Sequence, residues 1–63
     1  MNINDFIDLC IDAGLLTVEI YSMDRSKIVW TGPGDEIPEE FLYCELWSWD
    51  VPTKPDCITL NID

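Results

Sequence analysis

Histidine is absent from the 63-residue chain, and Lys and Arg together number only 3. The first absence removes the side chain that most often serves as a general base near neutral pH. It also removes a common zinc ligand, and no Cys-x-x-Cys pair stands in for it. The scarcity of cations excludes a basic nucleic-acid binder and a polybasic membrane-surface protein. No stretch approaches the roughly 20 apolar residues of a membrane-spanning helix. Met1-Asn2-Ile3-Asn4-Asp5 has neither the basic start nor the apolar run of a signal peptide. The cysteines are Cys10, Cys44 and Cys57, an odd count that fits a disulfide framework poorly. The expectation is a cytoplasmic protein with reduced, mostly buried thiols.

Against these absences stand 13 Asp and Glu residues, which give a formal net charge of −10. Hydrophobic residues make up 48% of the chain, so it is not a disordered acidic tail and can build a core. The length allows one domain, residues 1–63. A chain this short buries only about 60% of its unfolded surface. Repulsion among the uncompensated carboxylates works against that small core.

Ile3, Phe6, Ile7, Cys10 and Ile11 recur at helical spacing, with Asp5, Asp8 and Asp12 on the other side. The pattern predicts a helix over 4–13, capped by Asn2 or Asn4 and stopped by a left-handed Gly14. Leu16, Val18 and Ile20 alternate with Thr17, Glu19 and Tyr21, the period-two signature of a half-buried strand. Asp24-Arg25-Ser26 is turn-prone, and Lys27-Ile28-Val29-Trp30-Thr31 is rich in β-formers, so a hairpin is expected. Gly32-Pro33-Gly34-Asp35 breaks the second strand. Pro38, Glu39 and Glu40 open a one-turn helix that carries Phe41 and Leu42 inward. Glu45 to Val51 reads as a third strand, residues 52–56 as a turn, and Ile58, Leu60 and Ile62 as the buried side of a fourth. The simplest packing is an α+β domain: the N-terminal helix on a four-stranded antiparallel sheet of two hairpins, with the one-turn helix between them.

Catalysis finds little support, and the protein is not expected to be an enzyme. No partner for a nucleophilic cysteine is at hand. Paired carboxylates could serve glycoside hydrolysis, but that needs a cleft with two fixed carboxyl groups, which a domain this small rarely encloses. The Gly32–Glu36 loop lacks the Lys-Ser/Thr of a phosphate-binding loop and carries two acids that would repel phosphate. Asp35, Glu36, Glu39 and Glu40 lack the spacing of a calcium loop. No cofactor and no metal site are therefore expected.

The acids are the stronger signal. On a continuous helix Asp5 and Asp12 stand about 10 Å apart along the axis. Three phosphate steps on one DNA strand cover a similar length, at about 3.4 Å each. Asp35, Glu36, Glu39 and Glu40 form a second cluster. Surfaces built only for solubility usually mix both signs, whereas a one-signed surface favours a basic partner and steers it in. Trp47 and Trp49 alternate with Leu46 and Ser48. Either they fill the core, or they are exposed anchors with Leu46 and Cys44 facing inward. The sequence leaves both open, and Trp47 is a candidate partner-binding residue only in the second case.

Met1-Asn2-Ile3-Asn4-Asp5-Phe6-Ile7 resembles the start of a small acidic phage anti-CRISPR family that blocks Cas9. Thr17-Val18-Glu19 through Ser26-Lys27-Ile28 continues that likeness as helix then hairpin. Ile28-Val29-Trp30-Thr31-Gly32 with Asp35-Glu36-Ile37-Pro38-Glu39-Glu40 is similar to small proteins of bacterial phages and mobile elements. Together the likenesses imply a phage or mobile-element origin and an inhibitor role. From the one-signed charge, the expected partner is a basic protein, a nucleic-acid-binding one in the first reading, met through Asp5, Asp8, Asp12, Asp35, Glu36, Glu39 and Glu40, with no direct contact to nucleic acid or membrane. The alternative is an interaction module that self-associates into a homo-oligomer, its acids serving solubility.

Charge repulsion makes one expectation independent of partner. Raising NaCl from about 10 mM to about 1 M shortens the screening length from about 30 Å to about 3 Å. The thermal midpoint, followed by circular dichroism, rises over that range. A midpoint that falls would show that the carboxylates do not oppose folding.

Overall fold

A computed structural model describes residues 1–10, 13–51 and 56–63. The elements in chain order are helix α1 (Ile3–Asp8), a 3-10 turn (Ala13–Leu15), strands β1 (Thr17–Ser22) and β2 (Lys27–Pro33), helix α2 (Glu39–Leu42), and strands β3 (Leu46–Asp50) and β4 (Cys57–Ile62).

Helix α1 begins at a reciprocal cap. The Asn2 side-chain oxygen accepts from the Asp5 N–H at 2.8 Å, and the Asp5 carboxylate accepts from the Asn2 N–H at 3.3 Å. Asn2 is therefore the cap, and the helix starts one residue before the expected Asn4. It also ends early, with Leu9 as its C-cap. Ile11 and Asp12, placed on this helix by their spacing, lie outside the described residues. No glycine takes a positive φ, so Gly14 is not the left-handed stop that was expected. Gly14 instead makes room: a Cβ there would stand 2.8 Å from Asp35 Oδ2.

The β1–β2 turn is closed by Ser22, whose hydroxyl accepts from the Arg25 N–H at 3.2 Å and donates to Asp63 at 2.7 Å. Strand β2 continues through Gly32 to Pro33, further than the glycines suggest. Gly34 N donates to Leu16 O at 3.0 Å, so the even-numbered residues of β1 face β2. Pro33 pairs with Thr17, an odd residue, so its missing N–H falls on the outer side and costs no ladder bond.

The strand order is β2-β1-β4-β3. β1 pairs antiparallel with β2, and β3 antiparallel with β4, but the central pair β1–β4 is parallel. The expected antiparallel sheet is thus corrected to a mixed one, within the expected α+β arrangement. The reason lies in the connection. β2 and β3 run in the same direction on opposite edges, so residues 34–45 return across the sheet, as parallel strands require. That return contains α2.

The crossing segment and α1 cover one face. Val18, Ile20, Leu60 and Ile62 from the two inner strands form a buried cluster with Ile3, Ile37 and Leu46. Phe6, Ile7, Phe41 and Leu42 pack against it from the helices. The other face is largely polar. There Cys57 Sγ donates to Glu19 at 3.2 Å, and the Asn61 amide donates to Ser48 Oγ at 3.0 Å and Asp50 at 3.1 Å.

Gly32 lies against the Trp30 ring: an added Cβ would meet Cζ2 at 2.9 Å. Gly32→Ala should push the indole off its packed position and cost about 1–3 kcal/mol, measured by urea unfolding. A cost near zero would mean that the ring is not held there.

Candidate functional site

The candidate acids fall mainly on the helix-covered side of the sheet. Asp5 and Asp8 belong to α1, Glu39 and Glu40 to α2, and Asp35 and Glu36 to the turn that leads into α2. All six are exposed. The two helices touch each other, and the Asp35 carboxylate lies beside Gly14 in the segment that follows α1. The contact between the helices brings Asp5 and Asp8 into one layer with Glu39 and Glu40, while Asp35 borders the 3-10 turn. Asp12 lies outside the described residues. The helical ruler also ends at Asp8, so Asp5, Asp8 and Asp12 do not line one continuous helix as expected. Asp5 and Asp8 are separated by only about 4.5 Å along the axis.

The acids differ in their local role. Asp5 already serves the helix cap. Asp8 stands at the negative end of α1, where no basic residue offsets it. Glu39 and Glu40 occupy the favourable first turn of α2. Among the described residues the one ion pair is between the Met1 ammonium and Glu45, at 3.5 Å. Of the described cations, Arg25 and Lys27 lie at the β1–β2 turn, and Arg25 borders a cleft that Glu40 and Asp63 also line.

No three described Asp, Glu or Cys residues come together in a group that could hold a metal ion. The carboxylates are spread over a surface rather than converging on a point. A cleft of about 150 Å³ is lined by Val29, Phe41 and Ile62 together with Arg25, Glu40 and Asp63. Small-molecule sites typically measure about 300–1,000 Å³, so this cleft is smaller than most of them. No described helix is long and apolar enough to cross a membrane. Cys10 Sγ donates to Phe6 O at 3.6 Å and Cys44 Sγ to Glu40 O at 3.4 Å.

The tryptophans resolve toward exposure. Trp47 is 66% exposed and Trp49 53%, while Leu46 is buried and Cys44 packs against the core. The register explains it. Leu46 pairs with Ile62 and Ser48 with Asn61, so Trp47 is the extra residue of a bulge. Beyond the bulge Trp49 pairs with Leu60 on the helix-covered face, and its ring meets Phe6 at 5.3 Å. The two tryptophans therefore do not alternate simply along one strand. Trp49 joins the candidate surface through α1, a placement that spacing alone misses because no sequence signal marks the bulge. Glu45 and Asp50, exposed at either end of β3, were also missed.

Comparison with protein-family models, curated proteins and solved structures finds no match.

Trp47→Ala should change stability by less than about 0.5 kcal/mol, as an exposed substitution. Trp49→Ala should cost about 1 kcal/mol through the lost Phe6 contact. Denaturant unfolding of both variants checks this, and equal costs would contradict the difference in packing.

Proposed function

We propose that this chain is a non-enzymatic acidic inhibitor of phage or mobile-element origin. It occupies the basic nucleic-acid-binding surface of a bacterial defence or DNA-handling protein by imitating a nucleic-acid backbone. One observation carries the reading. Asp5, Asp8, Glu39 and Glu40 are exposed on two touching helices, Asp35 and Glu36 are exposed in the turn that leads into α2, and none of the six is in an ion pair among the described residues. A surface of one sign concentrates and orients a cationic partner, and does so over a range set by ionic strength. The exposed Trp47 supports the reading as an apolar anchor, since binding hot spots favour tryptophan.

The charge pattern is open to a direct test. At low salt the immobilised protein should capture nucleic-acid-binding proteins from a bacterial lysate, and duplex DNA should release them. Asp8→Lys combined with Glu39→Lys should weaken capture roughly tenfold or more at low salt and much less at high salt. Asp5 is left intact because its carboxylate holds the helix cap. Recovery of no nucleic-acid-binding protein at low salt, or capture indifferent to DNA, would overturn the reading.

A further inference from the structure

The outer strand β3 leaves part of its backbone unused. Ile62 O accepts from Met23 N at 3.0 Å, and Thr17 N donates to Asp56 O at 2.7 Å. The even-numbered residues of β4 thus turn their amides toward β1, while Thr59 and Asn61 turn theirs toward β3. Those two stand opposite Asp50 and Ser48. Trp49, between Ser48 and Asp50, therefore points both its N–H and its C=O at the open edge.

Among the described residues the chain covers only the start of this edge itself. Leu46 N donates to Met1 O at 2.9 Å, Ile3 N donates to Cys44 O at 3.2 Å, and Asn2 bridges Glu45. The rest of β3 has the bulge at Trp47 as its guard but neither Lys nor Pro. The opposite edge is better defended, with Lys27 at one end of β2 and Pro33 at the other.

We propose that the outer edge of β3 from Trp47 to Asp50 takes up an extended, Lys- or Arg-bearing segment of a partner protein as an added strand. The backbone of Trp49 supplies the pairing groups. The exposed indoles of Trp47 and Trp49 offer faces to cationic side chains, and Glu45, paired with the Met1 ammonium, and Asp50, bonded to Asn61, add negative charge at the two ends of the strand. Charge selects this occupant over a second copy of the chain, because two molecules of net charge −10 repel each other. The partner's positive charge and the exposed Trp47 are the points shared with the proposed function. Strand pairing requires neither a nucleic-acid channel nor the helical acids.

The probe is a short capped peptide alternating lysine and valine, titrated into the full chain while amide chemical shifts are followed. Shifts concentrate on Trp47 to Asp50, and the Trp49 amide becomes protected from hydrogen exchange. The matching glutamate–valine peptide causes none of this. Methylating the Trp49 backbone nitrogen in a chemically synthesised chain removes the outward donor without breaking a bond to β4, and weakens binding about tenfold. Trp47→Thr keeps a strand former and every backbone donor, and weakens binding by a smaller factor. Shifts that spare β3, affinity unchanged by methylation, or equal uptake of the glutamate peptide would each overturn the proposal. So would concentration-dependent shifts of the same amides without peptide, which would give the edge to a second copy. Failure here leaves DNA-sensitive capture by the helical acids untouched, and the reverse holds too.

Discussion

β1 and β4 run side by side in the same direction at the centre of the sheet, and this pairing sets where the other elements go. Each inner strand carries an antiparallel partner outside it, so β2 and β3 point the same way on opposite edges. The chain between them has to travel back along the sheet. In doing so it delivers Ile37 to the core and lays Phe41 and Leu42 over it. The same journey brings Glu39 and Glu40 beside α1 with its Asp5 and Asp8. An antiparallel arrangement with this strand order would keep the connection at one end of the sheet and leave the core face short of cover. The gathered acidic layer is therefore a by-product of how the core is closed.

The interior places no demand on charge, which leaves the surface free to carry one sign. The buried cluster is aliphatic. The two buried polar residues, Ser22 and Asn61, are satisfied by hydrogen bonds, and no described buried side-chain nitrogen or oxygen lacks a partner. Carboxylates appear in these bonds as acceptors, outside any ion pair among the described residues. Apolar burial and backbone pairing are thus the main support of the fold, against the mutual repulsion of the surface. A small core that tolerates such repulsion is understandable where the surface itself has a use.

Much of this was legible in the sequence, and the limits have physical causes. The alternation at Val18 and Ile20, and at Leu60 and Ile62, marks two inner strands because one sheet face is dry and the residues there must repeat in twos. Asn2 and Asp5 mark a helix start because their side chains fit the free N–H groups of the first turn. Pairing direction is different: the same strand pattern serves a parallel or an antiparallel neighbour, so β1–β4 could not be read locally. The bulge at Trp47 was hidden for a similar reason, since it depends on how β3 meets Asn61 and Ile62. The end of α1 at Asp8 also escaped, because apolar spacing continues past it through Cys10. Among the candidate site residues the exposed acids were readable from composition, whereas their assembly into one layer required the topology.

The order in which the strands pair gives the parallel arrangement a temporal meaning. The β1–β2 hairpin closes a short local loop, whereas β4 returns to β1 from the far end of the sequence, so the hairpin forms first as the chain folds. Until β4 docks, the β4-facing backbone of β1 is unpaired and Ile20 has no Leu60 beside it. A half-folded chain of this kind exposes a sticky edge that invites misassociation. Its abundant negative charge opposes the approach of a second half-folded copy until the closing strand arrives.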